Sequence, residues 1–392
     1  MKVGFLFNHD QIHQVAHSLP VAAAMQREYP NLEIVIITSS EALSREVARL
    51  SEVIGVTIPN IELELSRLST KIASAALEWL VPVRKVGILR DNLDILKTFD
   101  ILVVAEKTSL MLHTRYDLRD LKIVHTRHGA GDRAIGFNRQ SGEFDHVLAS
   151  GAKIKDRLVS ETSLSEDSIS VVGYPKFDLI QNSQGISKFS NNDNPIILYN
   201  PHPSPHLSSW YKSGKQILDF FLENQNYNLI FAPHVMLFQR KFVFSLDKLS
   251  FDMPGKLAQK YLDSPNILID LGSSKSTDMT YTMAADIYLG DSSSQVYEFL
   301  YKPRPIIFFD SHKTQWHDNL NYRHWQMGEV IQSVSQLPNA IGNALNNPDK
   351  YAASQSLLFS QSFDLTHETS SSRAAKAIAN LAIIKSKNGV EV

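Results

Sequence analysis

Three consecutive serines, Ser292, Ser293 and Ser294, form the segment of the chain that is best suited to bind a phosphate. They follow a short apolar run typical of a buried strand and precede a stretch that predicts a helix. Backbone N–H groups and hydroxyls at the start of a helix can bind phosphate, because that end carries partial positive charge. Glu298 lies about two helical turns after Asp291, where its carboxylate could bind a ribose hydroxyl of the same ligand. The alternative is that Ser292 or Ser293 only caps the helix.

A histidine and two glycines follow a predicted strand in the N-terminal half. His128 precedes Gly129, which permits a tight turn and a close approach to a ligand. A histidine in such a turn is suited to act as a general base, because its ordinary pKa lies near neutrality. Asp132 could orient the imidazole, and Arg127 and Arg133 could hold phosphate on the acceptor side. The alternative is a capping histidine beside a surface ion pair.

Two further strand ends in the C-terminal half carry polar residues. His234 follows an apolar strand and a proline that stiffens the turn, and Asp270 ends the next predicted strand. Ligands of parallel α/β sheets bind at the carboxyl ends of strands. We therefore expect the loop that contains Asp270 and Ser273 to contact the phosphate or the nucleoside of the ligand.

The start of the chain offers a candidate acceptor site. Asn8 follows the first predicted strand, and His13 and His17 lie four residues apart on the first predicted helix, hence on one face. The alternative for these residues is a solvated start of a helix.

A proline-rich loop after another predicted strand contains His202 and His206, which could be metal ligands. Their spacing carries little meaning outside a helix, and no carboxylate motif accompanies them. We therefore predict no metal site.

Apolar strands alternate with helical stretches throughout the chain, which predicts parallel sheets covered by helices on both faces. The predicted strands are 3–8, 32–38, 101–105, 121–125 and 146–149 in the first half, and 196–199, 229–232, 267–270, 287–289 and 306–309 in the second. The predicted helices are 14–29, 41–53, 68–98, 210–223, 254–262, 295–300 and 371–386. Pro20 and Pro82 are expected to kink or split their helices.

A polar, turn-rich segment at 183–194 separates the two series and predicts a linker. We expect an N-terminal, acceptor-side Rossmann-like domain over 1–182 and a C-terminal, donor-binding Rossmann-like domain over 195–365. A last helix within 366–392 could pack back on the N-terminal domain. The predicted fold class is α/β, with two doubly wound parallel sheets facing across a cleft, which is the default ligand site.

The composition excludes several classes of protein. The chain has 392 residues, of which 43% are apolar and 20% charged, as in soluble proteins with buried cores. A net charge of −2 gives no general attraction to nucleic acid, and the absence of cysteine rules out disulfides and thiolate chemistry. The N-terminus leads directly into a strand, and no apolar run is long enough to span a bilayer. These features lead us to expect a cytoplasmic protein.

The C-terminal motifs resemble those of the CDP-glycerol glycerophosphotransferase family, whose members build teichoic-acid-type and capsular polymers on a GT-B scaffold. The matching features are an Ala-Asp aliphatic strand at 285–289, Asp-x-Ser-Ser from Asp291, the acidic Glu298, and Arg304-Pro followed by an aromatic strand. The resemblance is strong from about 264 to 373 and fair at two histidine motifs.

The resemblance implies roles for particular residues. His128-Gly129 matches the family motif whose histidine is the base, and Pro233-His234 matches the motif whose histidine meets the donor phosphates. Ser372 and Arg373 match a terminal motif that faces the same phosphates. The implied donor-phosphate site consists of His234, Ser292, Ser293, Ser294, Ser372 and Arg373.

Two departures from the family pattern leave the donor open. Arg127 and Ala130 stand where the family has an aromatic residue and a Thr or Pro, and the loop 200–206 replaces an aromatic and basic sequence. The donor could therefore be CDP-glycerol, another CDP-polyol or a nucleotide sugar.

We predict a transferase that moves glycerol phosphate, or a related polyol phosphate, from a CDP-linked donor to a hydroxyl of a cell-surface glycan or lipid-linked acceptor. The chemistry requires no cofactor, although Mg²⁺ stays open, as does peripheral association with the inner face of the cell membrane. The alternatives are a GT-B glycosyltransferase or UDP-sugar epimerase-like enzyme, and a non-catalytic protein that binds nucleotides or glycans.

Overall fold

The computed structural model describes residues 1–9, 11–67, 70, 83–127, 129–132, 134–180, 186–239, 243–245 and 250–388. The chain forms two compact units. The first comprises Met1–His128, Ile135–Leu179 and Gln361–Val392, and the second comprises Gly129–Ala134 and Ile180–Ser360. The short segment Gly129–Ala134 thus belongs to the second unit, which the predicted boundaries do not anticipate.

The first unit is built on a seven-stranded sheet in which every pair of neighbours is parallel. Its strands are β1 (Lys2–Phe7), β2 (Glu33–Thr38), β3 (Asn60–Glu62), β4 (Ile101–Val104), β5 (Lys122–Thr126), β6 (His146–Ala149) and β7 (Ile169–Val171). Their order is β3-β2-β1-β4-β5-β6-β7, so the direction of winding reverses between β1 and β4. The α-helices described in this unit are Leu19–Glu28, Glu41–Ile54, Val83–Asp91, Leu93–Leu96, Met111–Thr114, Ala152–Glu161 and Ser370–Asn388.

The helix Ser370–Asn388 completes one apolar layer of the first unit. Its side chains Ala374, Ala375 and Ile378 are buried in one cluster with Leu19 and Met25 of the helix Leu19–Glu28. Small alanine side chains on one face let the two helices approach closely, which covers one side of the sheet.

The predicted helix 14–29 is wrong in its first part. A 3₁₀ helix covers Ile12–His17, and the α-helix runs from Leu19 to Glu28 with Pro20 in its first turn. Proline fits there because the first N–H groups of a helix have no intrahelical partner, so Pro20 begins this helix instead of kinking it. Because a 3₁₀ helix has three residues per turn, His13 and His17 do not share a face. Pro82 lies outside the described residues.

The second unit contains a six-stranded sheet whose neighbours are also all parallel. Its strands are β8 (Ile196–Asn200), β9 (Asn228–Phe231), β12 (Ile267–Ile269), β13 (Ile287–Gly290), β14 (Ile306–Phe309) and β15 (Glu329–Ile331), in the order β12-β9-β8-β13-β14-β15. The winding reverses between β8 and β13. A separate antiparallel ribbon pairs β10 (Val243–Ser245) with β11 (Ser250–Asp252).

The helices of the second unit are shorter than the sequence predicts in two places. The α-helices described here are Lys215–Glu223, Gln259–Leu262, Thr280–Ala284, Gln295–Phe299, Leu337–Asn346 and Ala352–Ser362. The predicted helix 254–262 begins only at Gln259, because Gly255 has a positive φ of +76° and Ala258 is extended. The predicted helix 210–223 starts with a π-helical turn over Trp210–Gly214.

Part of the predicted linker packs into the second unit. Phe189 is 4% exposed, and the ammonium of Lys188 donates to the carbonyl oxygen of Ile267 at 2.5 Å. Residues 181–185 lie outside the described part of the chain.

Candidate active site

The predicted phosphate site lies at the point where the strand order of the second sheet reverses. The loop 201–209 follows β8, and Asp291 with the three serines follows the adjacent strand β13. Ligands of open α/β sheets bind at such a reversal, because the loops from the two strands diverge there.

The carboxylate of Asp291 joins these two loops. It is 1% exposed and accepts hydrogen bonds from the backbone N–H groups of His202 (2.9 Å), Ser209 (2.7 Å) and Ser292 (2.7 Å), and from the Ser209 hydroxyl (2.9 Å). The indole of Trp325 donates to the Asp291 carbonyl oxygen at 2.9 Å. Asp291 therefore sets the positions of the residues on either side of the reversal.

Burial dominates the electrostatics of Asp291. Removal of its carboxylate from water raises its pKa to about 6, although the hydrogen bonds from Ser209, Ser292 and His202 act in the opposite direction. The carboxylate is therefore mainly ionised at pH 7 and becomes protonated under mildly acidic conditions.

The three serines have different surroundings. The Ser292 hydroxyl is buried and has no hydrogen-bond partner among the described residues, whereas the Ser293 oxygen accepts the N–H of Gln295 at 3.3 Å. Ser294 precedes the helix Gln295–Phe299 without a side-chain cap hydrogen bond. Because a buried hydroxyl without a partner is unfavourable, Ser292 is the serine with most to gain from a ligand oxygen.

Two glycines allow a close approach to Ser294. Gly129 has φ +92°, and a Cβ at this position would lie 3.4 Å from the Ser294 hydroxyl oxygen. A Cβ on Gly131 would lie 3.2 Å from the Ser294 Cβ. The positive φ and the short distances together explain why glycine suits the segment that follows His128 in the sequence.

Asp132 contributes a buried carboxylate to the second unit. Its Oδ2 accepts hydrogen bonds from the Tyr297 hydroxyl at 2.5 Å and from both the backbone N–H and the Nδ1 of His324 at 3.2 Å. All three side chains are at most 3% exposed. Asp132 thereby anchors the segment of Gly129 to the helix Gln295–Phe299. Its predicted role in orienting His128 stays a prediction, because His128 and Arg133 lie outside the described residues.

His202 and His234 form a pair of imidazoles beside Asp291. Their ring centroids lie 6.1 Å apart with an interplanar angle of 46°. The Nδ1 of His202 accepts the N–H of Ser204 at 3.0 Å, and the Nδ1 of His234 accepts the N–H of Met236 at 3.3 Å. The structure therefore places His234 near the predicted phosphate site.

The loop after β12 contains the predicted nucleoside-binding residues. Asp270 accepts hydrogen bonds from the Ser273 N–H at 2.7 Å, from the Tyr281 hydroxyl at 2.7 Å and from the Ser273 hydroxyl. Burial acts to raise the pKa of Asp270, but these hydrogen bonds outweigh it and lower the pKa. Gln295 ties the loop to the serines by donating to the Ser276 carbonyl oxygen at 2.8 Å. The buried Glu298 lies in the helix that Gln295 begins.

Arg304, from the Arg-Pro motif, binds backbone carbonyl oxygens of the protein itself. Its guanidinium donates to the carbonyl oxygens of Thr282 (2.7 Å), Met283 (3.3 Å), Phe299 (3.1 Å) and Ala285, which belong to the last turns of two helices or follow them. Burial lowers the pKa of Arg304 to about 10, which leaves it charged at neutral pH. The positive charge of Arg304 lies at the C-terminal ends of the two helices, where it stabilises both of them.

The remaining two donor-phosphate candidates lie in the first unit. The Ser372 hydroxyl donates to Glu28 at 2.6 Å, and the Arg373 guanidinium binds the Val171 carbonyl oxygen at 2.9 Å together with the carboxylate and carbonyl oxygen of Asp364. The structure thus does not group Ser372 and Arg373 in one unit with the three serines that follow β13, and their predicted role stays a prediction.

The acceptor-side candidates that the structure describes also lie in the first unit. Asn8 follows β1 at the reversal of that sheet, and its buried Nδ2 has no hydrogen-bond partner among the described residues. Arg127 donates to the Gly136 carbonyl oxygen at 2.6 Å and lies over the Phe137 ring, and burial lowers its pKa to about 10. His13 is half-buried in the first 3₁₀ helix.

The described part of the chain offers neither a metal centre nor a membrane span. It contains no group of three or more His, Cys, Asp or Glu side chains that could hold a metal ion. Within the same residues, none of the helices combines the length and apolar character needed to cross a bilayer.

The chain matches a family model over residues 95–380, and the description of that family is CDP-glycerol:poly(glycerophosphate) glycerophosphotransferase. The chain belongs to this family. Membership confirms the predicted enzyme class and function at the level of the family, a transferase that uses CDP-glycerol in the synthesis of cell-surface polymers. No curated protein matches the chain.

Solved structures confirm the predicted GT-B-like fold class of this glycerophosphotransferase. The wall teichoic acid polymerase TagF has 14% identity and a TM-score of 0.60, with 100% of this chain and 90% of TagF covered. The UDP-GlcNAc 2-epimerase from Neisseria meningitidis, bound to UDP-GlcNAc, has 12% identity and a TM-score of 0.62, with 98% and 100% covered. MnaA from S. aureus, solved with UDP, has 15% identity and a TM-score of 0.60, with 97% and 95% covered. At these identities the likeness concerns the fold.

Several residues of the site were not assigned a role from the sequence. In the sequence, Asp291 is identified only as part of the Asp-x-Ser-Ser motif, and His202 only as a candidate metal ligand. Tyr297 and His324 carry no sequence signal, because their partner Asp132 is 165 and 192 residues away along the chain.

Proposed function

We propose that this family member transfers glycerol phosphate from CDP-glycerol to a hydroxyl of a cell-surface glycan or lipid-linked acceptor. The observation that carries the proposal is the cluster at the reversal of the second sheet, where Asp291 holds His202 and Ser292 next to each other and His234 lies beside them. The family match supports CDP-glycerol as the donor. One TagF structure of the same fold was obtained after a soak with CDPG.

In this proposal the donor phosphates lie against Ser292, Ser293, Ser294 and His234. The hydroxyl of Ser292, which lacks a partner among the described residues, donates to a phosphate oxygen. The helix Gln295–Phe299 has only five residues, so hydroxyls and imidazoles contribute more to this site than a helix dipole does. Glu298 and the Asp270 loop, tied to the serines through Gln295, hold the ribose and the nucleoside.

The transfer step balances as a displacement at phosphorus. The acceptor hydroxyl oxygen forms a bond to the phosphorus that carries glycerol, and the bond from that phosphorus to the bridging oxygen of CMP breaks. His128 takes the proton of the hydroxyl, and CMP leaves with the electron pair. Hydrogen-bond donors around the leaving phosphate stabilise its added charge. Ser372 and Arg373 remain candidates for the same task.

A substitution at His128 tests this assignment. In the full chain, His128→Ala should abolish transfer to both a glycan and a lipid-linked acceptor, while CDP-glycerol affinity stays within about threefold of the wild type, because the base does not hold the donor. His317→Ala, at an exposed histidine, serves as the control. Full transfer by His128→Ala would overturn the role of His128.

The alternative functions predict different outcomes when the wild-type protein is given CDP-glycerol and UDP-GlcNAc. A UDP-sugar epimerase would convert UDP-GlcNAc without releasing CMP from CDP-glycerol, and a non-catalytic protein would bind CDP-glycerol without any transfer. Either outcome with the wild-type protein would overturn the proposed function.

A further inference from the structure

His202 and His234 are held in a rigid setting. They follow the neighbouring parallel strands β8 and β9. The backbone N–H of His202 is bound by the buried carboxylate of Asp291, and the backbone N–H of His234 donates to the Pro201 carbonyl oxygen at 3.1 Å. Pro201 and Pro203 flank His202 and restrict the backbone on both sides. The spacing of the two rings is therefore fixed by the framework of the second unit.

Hydrogen bonds also fix the tautomer of each ring. In both imidazoles Nδ1 accepts a backbone N–H, that of Ser204 for His202 and that of Met236 for His234. A ring nitrogen that accepts a hydrogen bond carries no proton, so the proton of each neutral ring is on Nε2. Both rings are therefore N–H donors at Nε2, which is the polarity that an anionic ligand requires.

We propose that His202 is a second imidazole ligand of the CDP-glycerol diphosphate and binds it together with His234. The inference rests on the proposed donor site and adds to it a residue from the loop in which this chain departs from the family pattern. Each Nε2–H donates to an oxygen of the diphosphate. As the bond to CMP breaks, the two donors stabilise the charge that builds up on the leaving phosphate.

The spacing of the pair suits this role. Two imidazoles that bind oxygens of one diphosphate must lie close to each other, because each N–H donor lies about 3 Å from the oxygen that it binds. The ring centroids are separated by 6.1 Å. Ser292 is next to the pair, because its N–H and that of His202 bind the same carboxylate oxygen of Asp291. Two imidazoles and one hydroxyl can thus reach one diphosphate.

Two substitutions separate binding by His202 from its structural role. In His202→Asn the side-chain oxygen takes the place of Nδ1 and still accepts the N–H of Ser204, but no group replaces Nε2. His202→Gln places an amide N–H near the position of Nε2. His206→Asn, in the same loop, is the matched control. The affinities of the full chain for CDP-glycerol and for CMP are measured by calorimetry, with thermal unfolding recorded for each variant.

We expect His202→Asn to weaken both ligands about tenfold or more, the loss typical of a hydrogen bond to a charged group. His202→Gln should recover part of this loss, and His206→Asn should bind as the wild type does. Unchanged affinity of His202→Asn for both ligands would overturn the inference and leave the proposed function intact. A wild-type protein that binds no CDP-glycerol would overturn both.

A measurement on the unmodified protein covers the case in which the variants fold poorly. The ¹⁵N resonances of the His202 ring should show a proton on Nε2 only, and the Nε2 signal should shift when CMP is added. A ring that carries its proton on Nδ1, or an Nε2 signal that CMP leaves unchanged, would overturn the inference.

Discussion

The carboxylate of Asp291 accepts the backbone N–H of His202 at 2.9 Å and so connects the ends of β13 and β8, where the order of strands reverses. The same carboxylate binds Ser209 and Ser292. A single buried acid thus fixes both walls of the proposed donor site. This arrangement gives the Asp-x-Ser-Ser motif a structural reason for its aspartate in addition to its serines.

The stability of the protein should depend on pH through Asp291. Its pKa of about 6 in the folded chain lies above its ordinary value of 3.8. Between these values the folded chain keeps a proton that the unfolded chain releases. The contribution of this group is therefore fully present below about pH 4 and is lost as the pH rises through 6, a change of about 3 kcal/mol.

Asp291→Asn isolates this contribution, because asparagine does not titrate. The free energy of unfolding of the wild type minus that of Asp291→Asn should fall as the pH rises from 4 to 7. Fluorescence of Trp210 and Trp325, both buried in the second unit, reports the unfolding. A difference that stays constant over this range would contradict the raised pKa of Asp291.

Removal of the Ser292 hydroxyl should weaken the binding of CDP-glycerol without lowering the stability of the protein. Because this buried hydroxyl has no partner among the described residues, Ser292→Ala should leave the free energy of unfolding unchanged or raise it by up to about 1 kcal/mol. Its affinity for CDP-glycerol should fall about tenfold, which calorimetry can measure. Ser293→Ala, which loses the acceptor of the Gln295 N–H, should be less stable than Ser292→Ala. Lower stability of Ser292→Ala with intact binding would refute the assignment.

The segment of Gly129 should tolerate no side chain. Gly129→Ala forces a Cβ into a positive φ and towards the Ser294 hydroxyl, which should cost about 1 kcal/mol or more of stability. We also expect the rate of CMP release from CDP-glycerol to fall at least tenfold. Gly342→Ala is the control, because a Cβ there meets no atom within 4 Å and the position lies in the helix Leu337–Asn346. A Gly129→Ala variant with wild-type stability and rate would be inconsistent with the packing described.

Arg304→Lys should destabilise the second unit. The guanidinium binds four carbonyl oxygens at the ends of helices, whereas an ammonium has three donors and cannot reproduce the planar geometry. The expected loss is about 2 kcal/mol, measured by chemical denaturation. Arg27→Lys, at an exposed arginine with one bond to the Ile54 carbonyl oxygen, should change stability by less than about 0.5 kcal/mol. Equal effects of the two substitutions would argue against the role of Arg304.

The sequence predicts the buried inner strands well and misses three of the edge strands. The bounds of β6 and β14 are confirmed to the residue, because a strand buried on both faces is a continuous apolar run. The strands β3, β7 and β15 are missed, because each has only three residues, at least two of which are partly or fully exposed. Whether these segments form strands depends on their hydrogen bonds to a neighbouring strand, and the local sequence does not determine that pairing.

The residues of the site also divide into those that a local sequence pattern predicts and those that it does not. The serines and His234 lie at strand ends, where a local pattern marks them. The contacts of Asp132 with Tyr297 and His324 join residues far apart in the sequence, so that only the folded chain reveals them. The tautomers of His202 and His234 depend on backbone N–H groups in their own turns, whose geometry is set by the packing of two loops.

The most direct test of the central claim is the fate of CDP-glycerol labelled in its glycerol. Purified wild-type protein is incubated with this donor and a glycan or lipid-linked acceptor, and CMP release is compared with the incorporation of glycerol phosphate. UDP-GlcNAc is offered in a parallel reaction. The account predicts equal amounts of CMP and transferred glycerol phosphate, with UDP-GlcNAc unchanged. Conversion of UDP-GlcNAc while CDP-glycerol stays intact would contradict it.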